Sequence, residues 1–190
     1  MALLYGYGLG QSAVEALASD LPPGAEVADY GAGLSTLGFE ICQMRPDVHW
    51  TNIDASYGLE AVKKRAIKQR LDNLQFVKAN VLDFRAIEMG RYDRIFSWYM
   101  LPHVALAGQP VARSALRNII YSANSRGKIS LGPIKSSKGL CVKFGAPLSC
   151  DELSEQVETL APLIAFRSGA IIGRFINSLA YKKRYKHKIK

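Results

Sequence analysis

The sequence predicts one α/β domain built on a mainly parallel sheet with helices on both faces. Three observations carry that prediction. Short apolar runs that suit strands alternate with helical stretches through the first two thirds of the chain, the order from which parallel sheets are made. The 190 residues are an ordinary single-domain length, enough to bury one core. The stretch VADYGAGLST, Val27 to Thr36, reads as a buried strand, a tight glycine turn and the opening of a helix.

Taken in order, Val27, Ala28 and Tyr30 suit a first strand, set off by the Pro22-Pro23-Gly24 break. Gly31 and Gly33 let the backbone adopt positive φ and come close to a ligand. Ser35 or Thr36 can cap the following helix, whose free N–H groups attract electron-rich or anionic atoms. That helix ends near Arg45-Pro46, and a second strand runs from His49 to Ser56. Its Asp54 lies 21 residues past Gly33, where an acid at a strand tip accepts hydrogen bonds from ribose hydroxyls. A helix follows from Gly58 to Leu71, with Leu59, Val62, Ala66 and Leu71 near one face. Lys63, Lys64, Arg65, Lys68 and Arg70 crowd its other face, which reads as a solvated surface. The third strand, Leu74 to Phe84, ends in Asn80, Val81 and Asp83. The fourth, Arg91 to Val104, brings Ser97, Trp98 and Tyr99 to its carboxyl end, where open α/β sheets hold ligands.

Beyond it a helix spans Pro110 to Asn124, with Pro110 in its first turn. A fifth strand covers Lys128 to Ile134, a turn Ser136 to Gly139, and a short strand Leu140 to Phe144. A helix starts at Ser149-Cys150-Asp151-Glu152 and reaches about Leu160, and two extended segments, LIAF and RFINSLAYKKRY, close the chain.

The glycine turn does not match the common nucleotide loops. In GxGxxG the third glycine permits close helix–strand packing, and here Thr36 holds that position. No GxxxxGKS/T occurs either. Instead an acid, Asp29, stands two residues before the first glycine. The pattern D-Y-G-A-G resembles the first motif of class I S-adenosylmethionine-dependent methyltransferases. That resemblance implies a Rossmann-like three-layer sandwich, with a seven-stranded, mainly parallel sheet and a C-terminal antiparallel hairpin. It implies S-adenosyl-L-methionine as cofactor, with the glycines against its methionine part and Asp29 facing the ammonium end. Asn80 and Val81 match the adenine positions, with Asp83 as the alternative to Asn80, whose amide carbonyl can still accept from an exocyclic amine. The cofactor-binding set is then Asp29, Tyr30, Gly31, Gly33, Asp54, Ala55, Asn80, Val81 and Ser97.

Asp93 and its apolar run resemble the family's fourth motif, and MLPHV is similar to a segment of its small-molecule members. His103 is thereby either a general base or a structural histidine, and Tyr99 is a second candidate. The leading YGYG, Tyr5 to Gly8, either folds over the cofactor or frays. The resemblance covers Glu26 to Val104, and further on it rests on element order alone. Neither Asn-Pro-Pro-aromatic nor Pro-Cys, signatures of exocyclic-amine and cytosine C5 methylation, occurs.

No apolar run approaches the ~18–20 residues of a membrane span, and the N-terminus lacks a basic leader. Cys42, Cys141 and Cys150 are scattered and odd in number, which points to free thiols and a cytoplasmic location. With three dispersed histidines as well, no metal site is expected. The net charge is +9, but the last nine residues, KKRYKHKIK, carry six Lys/Arg, and without them the chain stands at +3. The expected organisation is one domain over residues 1–181 and a basic tail over 182–190. The tail is either a solubilising extension or an arm for polyanions. Three functions follow: transfer to a small-molecule acceptor, slightly favoured; transfer to RNA aided by the tail; or non-catalytic cofactor binding beside a protein partner.

Overall fold

The computed structural model describes residues 11–56, 59–83, 85, 87–98, 100–104, 107–132, 134–135, 141–142, 148–155 and 157. Its elements begin α1 (Gln11–Asp20), β1 (Glu26–Tyr30), α2 (Leu37–Met44), β2 (His49–Asp54), α3 (Leu59–Lys68) and β3 (Leu74–Lys78). They continue β4 (Tyr92–Trp98), α4 (Met100–Val104), α5 (Gln109–Ser122) and β5 (Ala123–Gly132). The short β6 (Ile134–Lys135), β7 (Cys141–Val142) and β8 (Leu148–Ser149) follow, and residues 150–155 are helical.

The main sheet has the order β3-β2-β1-β4-β5-β8, while β6 and β7 pair separately. Strands β1 to β5 are mutually parallel, and β8 adds to β5 antiparallel at Lys128–Ser149 and Ile129–Leu148. Among the described residues the main sheet has six strands, five of them parallel, where the resemblance implies seven in all. The segments 163–166 and 174–185, expected to form the closing hairpin, lie outside the described residues. Strand order reverses between β1 and β4, which opens a crevice at their carboxyl ends.

Successive strand residues face opposite sides of the sheet, and both sides are covered. On one, Val14 and Ala18 of α1 and Leu37, Phe39 and Ile41 of α2 pack around Val27, Trp50 and Phe96. Burying a side chain such as Phe39 stabilises the fold by ~1.5–3 kcal/mol. On the other, Ala28, Tyr30, Ile53 and Ile95 meet Leu116 and Ile119 of α5. Trp50 stacks on Phe96 with ring centroids 5.4 Å apart, and Phe96 meets Trp98 edge-on at 5.2 Å, both favourable aromatic geometries. A Cβ on Gly38 would stand 2.4 Å from the Trp50 indole. Close helix–strand packing thus falls to Gly38 of α2, two residues after the Thr36 that breaks the fingerprint.

Several predicted boundaries move, each for a local reason. Strand β2 stops at Asp54 because that carboxylate turns back to accept from the Ser56 N–H at 2.6 Å. Strand β3 stops at Lys78, not Phe84, because Asn80 closes a turn: its Oδ1 accepts from Leu82 N–H at 3.0 Å and its carbonyl from Asp83 N–H at 2.8 Å. Strand β4 ends at Trp98, and MLPHV is the helix α4 rather than strand. Strand β5 begins at Ala123, well before the predicted Lys128, and Gly127 makes room: a Cβ there would lie 2.8 Å from the Tyr92 carbonyl. Helix α1 was absent from the predicted elements, although Val14, Leu17, Ala18 and Leu21 recur at helical spacing. Arg45 finishes it, donating from Nη1 to the carbonyls of Ala18 at 2.6 Å and Leu21 at 3.2 Å.

Candidate functional site

The glycine turn leaves β1 with Gly31 at φ +78° and Gly33 at φ +52°, conformations that favour glycine. Gly31 N–H donates to the Ile53 carbonyl at 2.7 Å, tying the turn to the tip of β2. A Cβ on Gly31 would fall 2.2 Å from the Met100 Cβ, so α4 presses directly on the turn. Gly33 is looser, since a Cβ there would meet only Asp54 Oδ2 at 3.7 Å and the Gly31 carbonyl at 3.9 Å. The helix that follows is opened by Ser35, whose Oγ accepts from Leu37 N–H at 3.2 Å, while Thr36 Oγ1 bonds Glu40 at 2.8 Å.

Asp54 is held from both sides. Its Oδ2 accepts from Gly33 N–H at 2.8 Å and its Oδ1 from Ser56 N–H at 2.6 Å. Each carboxylate oxygen has a second lone pair for a ligand donor. At the tip of β3, Ala79 N–H donates to the Asp54 carbonyl at 3.1 Å, and buried Asn118 of α5 donates from Nδ2 to the Val81 carbonyl at 2.7 Å. Asn118 was not among the predicted site residues. Its signal is a polar residue on the mostly apolar buried face of α5, beside Ala115 and Ile119.

These tips border an open cleft. Tyr30, Gly31, Asp54, Ala55, Asn80 and Val81 line it, joined by Ile53, Ala79, Met100 and Val104. Six of the predicted cofactor residues thus come together. Gly33 stands just behind, holding Asp54. The other two do not line the cleft: Asp29 and Ser97 are both fully buried. Asp29 shares its face of β1 with Val27, opposite Tyr30, and sits in register with Asn52. Ser97 Oγ has no hydrogen-bond partner among the described residues.

The catalytic candidates fare differently. His103 is exposed on α4 and does not line the cleft, and Tyr99 lies outside the described residues. Asp54 and Tyr30 are the ionisable side chains that line it among the described residues. Burial pushes the Tyr30 phenol above the usual tyrosine range, and neighbouring Ser122 offsets only part of that, so the phenol stays protonated. The buried Cys42 thiol is likewise pushed up to about 12 by desolvation, which makes it inert. No group of three or more potential metal ligands occurs among the described residues, and none of their helices is long and apolar enough to cross a membrane.

A family model described as a methyltransferase domain matches residues 21–184. The chain belongs to the class I S-adenosylmethionine-dependent methyltransferases. The methyl donor of these methyltransferases is S-adenosylmethionine. Among solved structures, an O-methyltransferase family protein from Burkholderia thailandensis is similar, with TM-score 0.56 and 19% identity over 71% of this chain and 40% of that one. Coclaurine N-methyltransferase, bound to N-methylheliamine and SAH, gives TM-score 0.52 and 20% identity over 63% and 34% of the two chains. The (4+2) cyclase SpnF gives 0.55 and 14% over 78% and 56%. These TM-scores show a shared fold, and a fold does not by itself name a reaction. This methyltransferase domain matches well under two thirds of each relative's length. Among curated protein sequences none matches it significantly.

Proposed function

We propose that this chain transfers a methyl group from S-adenosylmethionine to a small-molecule acceptor, with the cofactor lying across the tips of β1, β2 and β3. The observation that carries the proposal is Asp54, pinned by Gly33 and Ser56 N–H groups and lining the same cleft as the glycine turn and Asn80. A carboxylate so fixed accepts from two adjacent ribose hydroxyls without losing side-chain freedom on binding. Gly31, which lines the cleft at the end of β1, then lies beside the methionine part, and Asn80 and Val81 flank adenine.

The cofactor, when bound, supplies an electrophilic methyl on a good leaving group. The protein's part is alignment, which brings the acceptor to roughly 3 Å from the methyl carbon. Met100 and Val104 form the apolar wall on the acceptor side. With the Tyr30 phenol held neutral and Asp54 engaged by the ribose, no cleft side chain among the described residues is assigned as base, and acceptors that need no deprotonation suit the site best. An RNA acceptor is the second reading, favoured by the cations of α3 described below, which form no ion pair among the described residues. Titration calorimetry with S-adenosylhomocysteine, NAD and ATP tests the assignment. Asp54→Ala is expected to weaken adenosylhomocysteine binding by ~10–100-fold, the cost of losing hydrogen bonds to a charged group. Tight NAD binding without adenosylhomocysteine heat would reverse the proposal, and cofactor binding without turnover of any acceptor would leave only a partner role.

A further inference from the structure

We infer that the outer face of α3 binds the phosphodiester backbone of nucleic acid. Helix α3 carries Lys63, Lys64, Arg65 and Lys68, Arg70 follows in the next turn, and all five are exposed. The ion pairs of the described residues are elsewhere: Arg45 with Asp47, Arg91 with Glu26 and Glu88, and Arg94 with Asp20. Glu60 stands four residues before Lys64, a spacing at which helical side chains meet, yet the two form no pair. A merely solvated helix face interleaves acids with bases. Over residues 59–72 five cations stand against two acids, Glu60 and Asp72, and none of the five forms an ion pair with another described residue.

The helix is also fixed in place. Leu59, Val62 and Ala66 are buried beneath it, the Arg65 guanidinium lies 4.2 Å from the centre of the Phe39 ring, and Gln43 Nε2 donates to Gln69 Oε1 at 2.6 Å. Its apolar side is therefore unavailable for insertion into a bilayer. The face is a convex helix surface, which does not enclose a small anion. A linear polyanion needs no pocket, because each lysine meets one phosphate and releases its counterions. Exposed Ile67, at 68% of its free surface, lies among Lys63, Lys64 and Lys68 and gives sugar rings an apolar contact. Helix α3 opens just after the Asp54–Ser56 turn and runs toward the opposite end of the sheet, where Gln69 meets Gln43 of α2. The inference does not depend on what the acceptor is.

The test is fluorescence anisotropy of two labelled 20-nucleotide single-stranded RNAs of unrelated sequence, with the full chain at 50–200 mM salt. Both RNAs are expected to bind alike. Reversal of three charges, K63E/K64E/K68E, is expected to raise Kd at least ~10-fold and to flatten the log Kd–log salt slope by about 2, near 0.7 per phosphate contact. The neutral variant K64Q/K68Q should give a smaller change in the same direction, and unaltered adenosylhomocysteine calorimetry shows that both variants keep their fold. Unchanged RNA affinity in both variants overturns the inference. So does a loss seen only when Lys186, Lys188 and Lys190 of the tail are replaced, or binding to phosphatidylserine vesicles with none to RNA. Failure of the wild-type chain to bind adenosylhomocysteine would strike the proposed function and leave this inference standing.

Discussion

The two sides of the cleft are built by different forces. On the β1–β2 side, directional bonds do the holding: Gly31 N–H to the Ile53 carbonyl, and Gly33 and Ser56 N–H to the two oxygens of Asp54. On the β4 side, α4 is held by shape, with Met100 seated on Gly31, Leu101 buried and His103 left in solvent. Bonds to backbone fix atoms to a few tenths of an ångström and admit few substitutes. Apolar packing accepts other side chains of similar volume. The first side therefore tolerates little change, and the second tolerates repacking.

The contrast breaks most visibly at Gly31. Gly31→Ala puts a Cβ into Met100 and forces an L-residue to φ +78°, and a loss of ~3 kcal/mol or more is expected from overpacking plus backbone strain. Gly33→Ala, with its nearest neighbour at 3.7 Å, should cost only ~1–2 kcal/mol. Urea denaturation of the pair checks this, and equal losses would mean that α4 does not press on the turn. A smaller effect is expected at Asn80. Asn80→Asp keeps the acceptor that Leu82 N–H uses and adds a second, charged one for the adenine amino group, worth ~10-fold in adenosylhomocysteine affinity. No gain in calorimetry would remove Asn80 from the adenine contact. The smallest effect belongs to His103→Ala, which should change turnover by less than about twofold because an exposed side chain off the cleft cannot reach a reacting atom. A large fall in the rate at high pH would restore the histidine as a base.

How much of this was legible follows the same division. Gly31, Gly33 and Asp54 were readable because the turn's backbone needs glycine and the strand tip needs an acceptor, and both are local demands. The Gly38 contact was not, since it depends on Trp50, which only the folded sheet brings under α2. MLPHV reads as a continuing strand because it is short and apolar, yet its proline falls within the first turn of α4, where a missing N–H costs nothing. Asn80 was placed correctly at the cleft, but its use of the side-chain carbonyl to close a turn needed coordinates. Asp29 stands at the predicted position in the chain, and the alternation of β1 sets its buried side chain on the face opposite Tyr30.

Trp50 and Trp98, the chain's two tryptophans, flank Phe96 in a single aromatic column on the α1–α2 side of the sheet. Intrinsic emission excited near 295 nm is therefore an optical reporter of that one layer, and loosening of the α5 layer passes unseen by it. Neither indole touches the cleft, so any spectral change on adding a nucleoside must travel through the hydrogen-bonded strands before it becomes light.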